Sequence, residues 1–214
     1  MKTFGKKFLS NDWVQLIFLV FFISSCRVFV AEPRYIPSGS MLPGLQIEDR
    51  LIIEKISLKK RPPKRGEIVV FNSPYSFDQG YIAERNTPLP TKSYCFFMSS
   101  PPMSFIPGLR DRACDAYIKR VVALSGDMVM VNKKGDVFIN NKKIDEPYIG
   151  SKCDFYPCAE IRKLKVPEGN VLVLGDNRAN SEDGRSWPGT FLPKEEIIGR
   201  AYFRFWPFDR LGFF

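Results

Sequence analysis

The chain has no histidine among its 214 residues. That absence removes the imidazole that usually serves as general base, and with it the commonest metal ligand. Cysteine is scarce, five in all, and no two are spaced C-x-x-C. A zinc site is therefore not expected, and neither a metal nor another cofactor is assigned. Long apolar runs are absent except for one near the N-terminus, and beyond it no stretch keeps a helical period long enough to argue a bundle. Acidic residues are the minority, 23 against 32 lysines and arginines, for a formal charge of +9. No nucleic-acid motif accompanies that excess, so nucleic acid is not an expected partner. An anionic membrane surface suits the charge better, the alternative being an ordinary solvated surface.

The apolar run, Trp13 to Ala31, reads WVQLIFLVFFISSCRVFVA. It is just long enough for a span, which needs about 20 mostly apolar residues. Lys2, Lys6 and Lys7 precede it with only Asp12 opposing, which puts the N-terminus in the cytoplasm. The organisation expected is a cytoplasmic segment 1–12, a single-pass anchor 13–31 whose Arg27 snorkels to the far interface, and an extracytoplasmic domain 32–214. Two rivals are a cleaved secretory signal and a lipoprotein site, Ile23-Ser24-Ser25-Cys26, that would leave Cys26 lipidated. Val28-Phe29-Val30 is bulky where a cleaved signal wants small residues.

Downstream, apolar runs are short and rich in branched residues: Leu51-Ile52-Ile53, Ile68-Val69-Val70-Phe71, Val121-Val122, Met128 to Val131, Val137-Phe138-Ile139 and Val171 to Leu174. Turn signals such as Arg65-Gly66, Ser125-Gly126-Asp127, Lys134-Gly135-Asp136 and Asn140-Asn141 separate them. The expected fold class is mainly β. Phe77 to Asp115 differs, being rich in Pro, Ser and Arg, and reads as an irregular insertion or long surface loop. Cys95 and Cys114 lie within it, while Cys153 and Cys158 share a second irregular stretch. Outside the cytoplasm disulfides are permitted, and four cysteines allow three pairings. Cys153 with Cys158 is favoured as the local pair and Cys95 with Cys114 would follow; free thiols are the alternative.

Three stretches carry chemistry. In Pro37-Ser38-Gly39-Ser40-Met41-Leu42-Pro43 two serines flank a glycine between prolines. A serine needs a partner to take its proton, and without histidine that partner must be a lysine, a carboxylate or a terminal amine. A lysine qualifies only if burial lowers its pKa from about 10.4. Most lysines here sit in polar clusters. Lys119 follows Tyr117-Ile118 and leads into Arg120-Val121-Val122, and on a strand its amine faces away from Ile118 and Arg120. Lys55, beside Ile52, Ile53 and Ile56, is the weaker rival. The third stretch, Gly175 to Arg185, is a polar loop directly after a core strand, a common seat of function. Ser181, Asp183 and Arg185 alternate along it, so a strand there would put them on one face.

With these stretches in hand, the chain resembles type I signal peptidases of the bacterial and organellar kind, the Ser–Lys proteases. The resemblance rests on Ile36 to Pro43, Asp49 to Lys55, Arg65 to Phe71, Tyr117 to Asp127 and Gly175 to Arg185, in that order behind the apolar run. It implies Ser40 as nucleophile and Lys119 as general base. Ser38, with the Ser40 N–H, would bind the oxyanion; Ser181 would orient the lysine; Asp183 and Arg185 would pair near the site. Ile36, Pro37, Met41, Leu45, Tyr117 and Ile118 would line shallow pockets for small side chains. The implied substrates are exported preproteins, cut after a small residue in an A-x-A pattern. The implied fold is an antiparallel β domain with a smaller β extension, resting on membrane lipid on the periplasmic or lumenal side. The export translocon is a partner by family analogy. Phe203, Phe205, Trp206, Phe208, Phe213 and Phe214 suit the interface. Two departures stand out: Gly184 where the family commonly has serine, and Ser125 where it commonly has proline. The competing readings are a non-catalytic anchored β module and a self-cleaving Ser–Lys repressor, which would carry a DNA-binding domain.

Overall fold

The computed structural model describes residues 12–98, 111–153 and 157–214. Its branched, aromatic-rich runs pair into two antiparallel sheets, so the fold is mainly antiparallel β. The larger sheet uses β1 (Ala31–Tyr35), β2 (Arg50–Glu54), β3 (Ile68–Asn72), β4 (Ala116–Leu124), β9 (Asn170–Leu174), β10 (Leu192–Pro193), β11 (Ile197–Trp206) and β12 (Gly212–Phe213). Its order is β1-β2-β11-β3-β4-β9-β10, with β12 beside β11. The smaller sheet uses β5 (Met128–Val131), β6 (Val137–Ile139), β7 (Lys142–Lys143) and β8 (Ile161–Lys165), in the order β7-β6-β5-β8.

β4 is clamped by β3 on one side and β9 on the other. Its own Val121 and the neighbouring Val69, Val171 and Val173 form one buried cluster with Phe71 and Trp187. A second cluster gathers Ile36, Met41, Leu45, Leu51, Ile53, Ile68 and Val70. A third, from Val122 and Val129 to Leu174, joins the two sheets. Ser125, at the turn leaving β4, donates its hydroxyl to the Asn170 carbonyl at 2.8 Å, which ties the turn to the start of β9. A proline there has no such donor.

The expected insertion is more ordered than its composition suggests. It contains short helices at Gln79–Ala83 and Lys92–Met98 and a 3₁₀ turn at Arg112–Cys114, and another short helix, Pro74–Phe77, leads into it. Local caps explain Pro74–Phe77 and Gln79–Ala83: the Tyr75 N–H donates to Ser73 Oγ, and the Gly80 N–H to Asp78 Oδ1 at 3.0 Å. None exceeds seven residues, too few to show a period. The Gly189 N–H donates to Asp78 Oδ2 at 2.7 Å, which docks this region beside the Gly175–Arg185 loop. Cys95 is bonded to Cys114, and Cys153 to Cys158.

The N-terminal run differs from the anchor expected over 13–31. The helix α1 covers Asp12–Phe29, 18 residues, about 27 Å at 1.5 Å per residue. Among the described residues no helix is long and apolar enough to cross a membrane. Pairing sets its end: Ala31 lies opposite Glu54, and Glu32 opposite Ile53, so the last residue of the run is drawn into β1. The side chains from Leu16 to Ile23 are exposed. Lys2, Lys6 and Lys7 lie outside the described residues, as do the side chains of Cys26 and Arg27.

Candidate active site

Ser40 sits in the loop between β1 and β2. The loop is closed at its base, where the Ile36 N–H donates to the Asp49 carbonyl and the Glu48 N–H to the Ile36 carbonyl, both at 2.9 Å. Asp49 is fully buried and accepts from the Gln46 N–H and from the guanidiniums of Arg204 and Arg210. At the tip, Asn177 holds the serine segment twice: its N–H donates to the Ser40 carbonyl and its side-chain amide to the Gly39 carbonyl, each at 3.1 Å. Ser40 is thus held between a rigid base and the loop after β9.

Lys119 lies mid-strand on β4, opposite Val69. Its Nζ is 2.8 Å from Ser40 Oγ, although 79 residues separate the two in sequence. Only 4% of Lys119 is exposed. Burial pulls its amine from the ordinary 10.5 down to about 8, against the more distant carboxylates of Asp183 and Glu182, which favour the ammonium. An amine titrating there is partly neutral near neutral pH and can accept the Ser40 proton.

Lys55, the rival base, meets a different environment. Its Nζ is 2.7 Å from Glu32 Oε2 on β1, an ion pair.

The Gly175–Arg185 loop encloses the pair from the β9 side. A Cβ on Gly175 would fall 2.2 Å from Ser181 Oγ and 2.5 Å from the Ser40 carbonyl oxygen, so only glycine allows this approach. Ser181 therefore stands beside the serine backbone, and its Oγ is buried with no partner at hydrogen-bonding geometry among the described residues. It is still close enough to Asp183 to help hold that carboxyl low. Asp183 and Arg185 do pair, through Nε to Oδ1 at 2.8 Å and Nη2 to Oδ2 at 2.9 Å. Burial alone would raise the Asp183 carboxyl, but Arg185 and the Gly175 N–H hold it below the usual carboxylate range. The backbone there is a turn rather than the strand face the alternation suggested, with the Ser186 N–H donating to the Asp183 carbonyl at 2.8 Å. Gly184 fits because a Cβ would fall 2.5 Å from the Thr190 carbonyl oxygen and 2.7 Å from Leu172 Cδ1. A serine would not fit this turn without displacing it.

The remaining expected residues divide. Ser38 and Pro37 are exposed. Ile36, Met41 and Leu45 are enclosed in one core cluster, with Ile118 packed against it. Tyr117 is half-buried on the other side of β4, against Phe71 and Trp187, on the same strand face as Lys119.

Several supporting residues were not anticipated. Arg178 is buried, donates to the Gly175 and Gly135 carbonyls and pairs with Glu146, whose side chain is 5% exposed. This arginine fastens the loop to the turn between β5 and β6. Arg120 forks onto Asp176 at 2.8 and 2.6 Å. Desolvation raises the Asp176 carboxyl in spite of that partner. An arginine in a polar loop looks solvent-facing in sequence; only its contacts with distant turns make it structural.

With that geometry in place, comparison with known proteins identifies the relatives. The family profile described as signal peptidase, peptidase S26, matches residues 10–206. A probable signal peptidase I-2 of Synechocystis sp. (strain ATCC 27184 / PCC 6803 / Kazusa) is 42% identical over 206 residues, 94% of this chain and 77% of that protein. A signal peptidase I of Leptolyngbya laminosa is 42% identical over 186 residues, 87% of this chain and 74% of that one. A probable chloroplastic thylakoidal processing peptidase 2 of Arabidopsis thaliana is 36% identical over 182 residues, 85% of this chain but 40% of its own length. The chain belongs to the signal peptidase family, peptidase S26, serine peptidases that cut signal peptides from preproteins.

Proposed function

We propose that this peptidase removes N-terminal signal peptides from exported preproteins after small residues, in an A-x-A pattern, with Ser40 as nucleophile and Lys119 as general base. The observation that carries the reading is the 2.8 Å approach of a buried lysine to a serine in a chain without histidine. Neutral Lys119 takes the Ser40 proton as Oγ attacks the scissile carbonyl. The resulting ammonium protonates the leaving amine, and the neutral amine then activates the water that hydrolyses the ester. The Ser40 N–H and the Ser38 hydroxyl bind the oxyanion, each donor contributing about 2.7–4 kcal/mol in well-studied hydrolases. Ser181, pressed against Gly175, keeps the lysine's surroundings closed, and the Asp183–Arg185 pair shapes the turn behind it. Pro37, Tyr117 and Ile118 offer surface to the substrate side chains, with Ile36, Met41 and Leu45 as packing behind them.

The membrane attachment belongs to the same proposal. The apolar side chains of α1 from Leu16 to Ile23, which span two turns, are exposed, and Phe208 and Phe213 are each more than 70% exposed at the C-terminal end. Helices apolar all round need lipid or protein around them. With Lys2, Lys6 and Lys7 on the cytoplasmic side, the catalytic domain lies across the membrane. The test is cleavage of a preprotein carrying an Ala-x-Ala site beside one with bulky residues at the same two positions. The reading predicts cutting of the first alone, and equal cutting of both would contradict it.

A further inference from the structure

Away from the active site, a cavity of about 590 Å³ opens where the chain leaves the apolar helix. Five cations line it, Lys55, Lys59, Lys60, Arg61 and Lys194, with Glu195 as the lining acid. Two already have carboxylate partners, Lys55 in Glu32, which it shares with Arg34, and Arg61 in Glu67. Lys59, Lys60 and Lys194 have no carboxylate partner among the described residues, so the cavity keeps an excess of positive charge over Glu195.

Its position gives the charge a meaning. The Lys55 N–H donates to the Val30 carbonyl at 2.9 Å, which ties the cavity to the end of α1. Lys59 Nζ lies 6.0 Å from the centre of the Phe29 ring, and Phe29 and Val30 are both exposed. Where Phe29 reaches the edge of a lipid layer, these amines stand at the level of the headgroup phosphates. Lysine ammoniums are compact point charges that suit a phosphodiester without demanding one fixed orientation. A soluble phosphate ester shares that chemistry, but the adjoining apolar helix selects the lipid.

We propose that this cavity seats the phosphate of an anionic phospholipid headgroup and so orients the catalytic domain on the bilayer. This rests on the membrane attachment proposed above and adds a lipid class to it. A basic side chain near an anionic surface strengthens binding about five-fold, so removing three unpaired lysines weakens it on the order of a hundred-fold.

The experiment is flotation of the full chain with vesicles of phosphatidylcholine alone or mixed with phosphatidylglycerol. Wild type is compared with Lys59→Ala/Lys60→Ala/Lys194→Ala and with a control, Lys133→Ala/Lys163→Ala/Lys165→Ala, of equal charge on the smaller sheet. The proposal expects the first variant to lose the preference for anionic vesicles and the control to keep it, with high salt erasing it in wild type. It is overturned if the first variant keeps the preference, if the control loses it equally, or if excess soluble glycerol phosphate abolishes it at constant ionic strength. Binding to the neutral vesicles reads α1 alone, and peptide cleavage in detergent reads the dyad, so failure of either is separable from failure here.

Discussion

In the middle of β4, Lys119 is enclosed by the larger sheet and the Gly175–Arg185 loop, and its amine meets a serine hydroxyl. Just past β2, Lys55 is also largely buried, but its amine meets the Glu32 carboxylate, with side-chain exposures of 11% and 10%. Both lysines lie near branched apolar residues, Lys119 as the stronger and Lys55 as the weaker candidate for a buried amine. The difference lies in the contact partner. Contact with a carboxylate makes Lys55 one half of an ion pair, a structural role. A hydroxyl carries no opposite charge, so at Lys119 desolvation prevails and the amine is brought into the range of a base. Asp183, the acid with the larger pull on the Lys119 ammonium, is itself engaged by Arg185.

The strongest way to break this comparison is to remove each amine in turn. Ser40→Ala and Lys119→Ala should each lower kcat/KM for a preprotein by about a thousand-fold or more. Lys55→Ala should leave the rate within a few-fold and instead cost about 1–3 kcal/mol in denaturant melts, because Glu32 loses a partly buried partner. A large rate loss from Lys55→Ala would remove the distinction. Gly175→Ala places a Cβ against Ser181 and the Ser40 carbonyl. It should cost about a hundred-fold in kcat, since small displacements of a nucleophile are expensive. The same rate with an unchanged melting curve would show that the contact does not position the serine.

Two subtler predictions sharpen the electrostatics. Asp183→Asn leaves the buried Arg185 without its carboxylate, a loss of about 3–5 kcal/mol in stability. Because Asp183 favours the Lys119 ammonium, the variant's activity limb should also move to lower pH. A limb moving upward would reverse the assigned influence. The last concerns wild-type stability. The folded Lys119 titrates near 8 against 10.5 ordinarily, so between those values the unfolded chain binds the extra proton and stability rises with pH. Relative to Lys119→Met, wild type should gain about 3 kcal/mol across that window and show the full burial penalty below it. Parallel melting curves for the two proteins would argue against a buried, shifted amine.

The parts legible in the sequence were those set by local chemistry. Ser40 and Lys119 stood out because the missing histidine narrowed the bases and branched neighbours marked a strand. The strand runs, each bounded by turn residues, similarly declared a mainly β chain. What escaped depends on contacts between distant segments. Asn177 and Arg178 looked like any polar loop residues until their bonds to Gly39, Ser40, Gly135 and Glu146 made them fasteners. Ser181, Asp183 and Arg185 shared a period that suits a strand, but their ion pair closes within a turn that Gly184 alone can fill. Short helices in the insertion and leading into it left no period to read, because four to seven residues complete at most two turns. The apolar run read as a span to Ala31, yet cross-strand pairing with Glu54 claims its last residue.

The most direct test is titration of the Lys119 side chain by NMR, following its Cε shift in ¹³C-lysine-labelled protein and assigning the resonance by its absence in Lys119→Met. The account predicts a midpoint near 8 and a rising limb of kcat/KM at the same pH. A midpoint at the ordinary 10.5, with activity already complete well below it, would contradict the lysine as base.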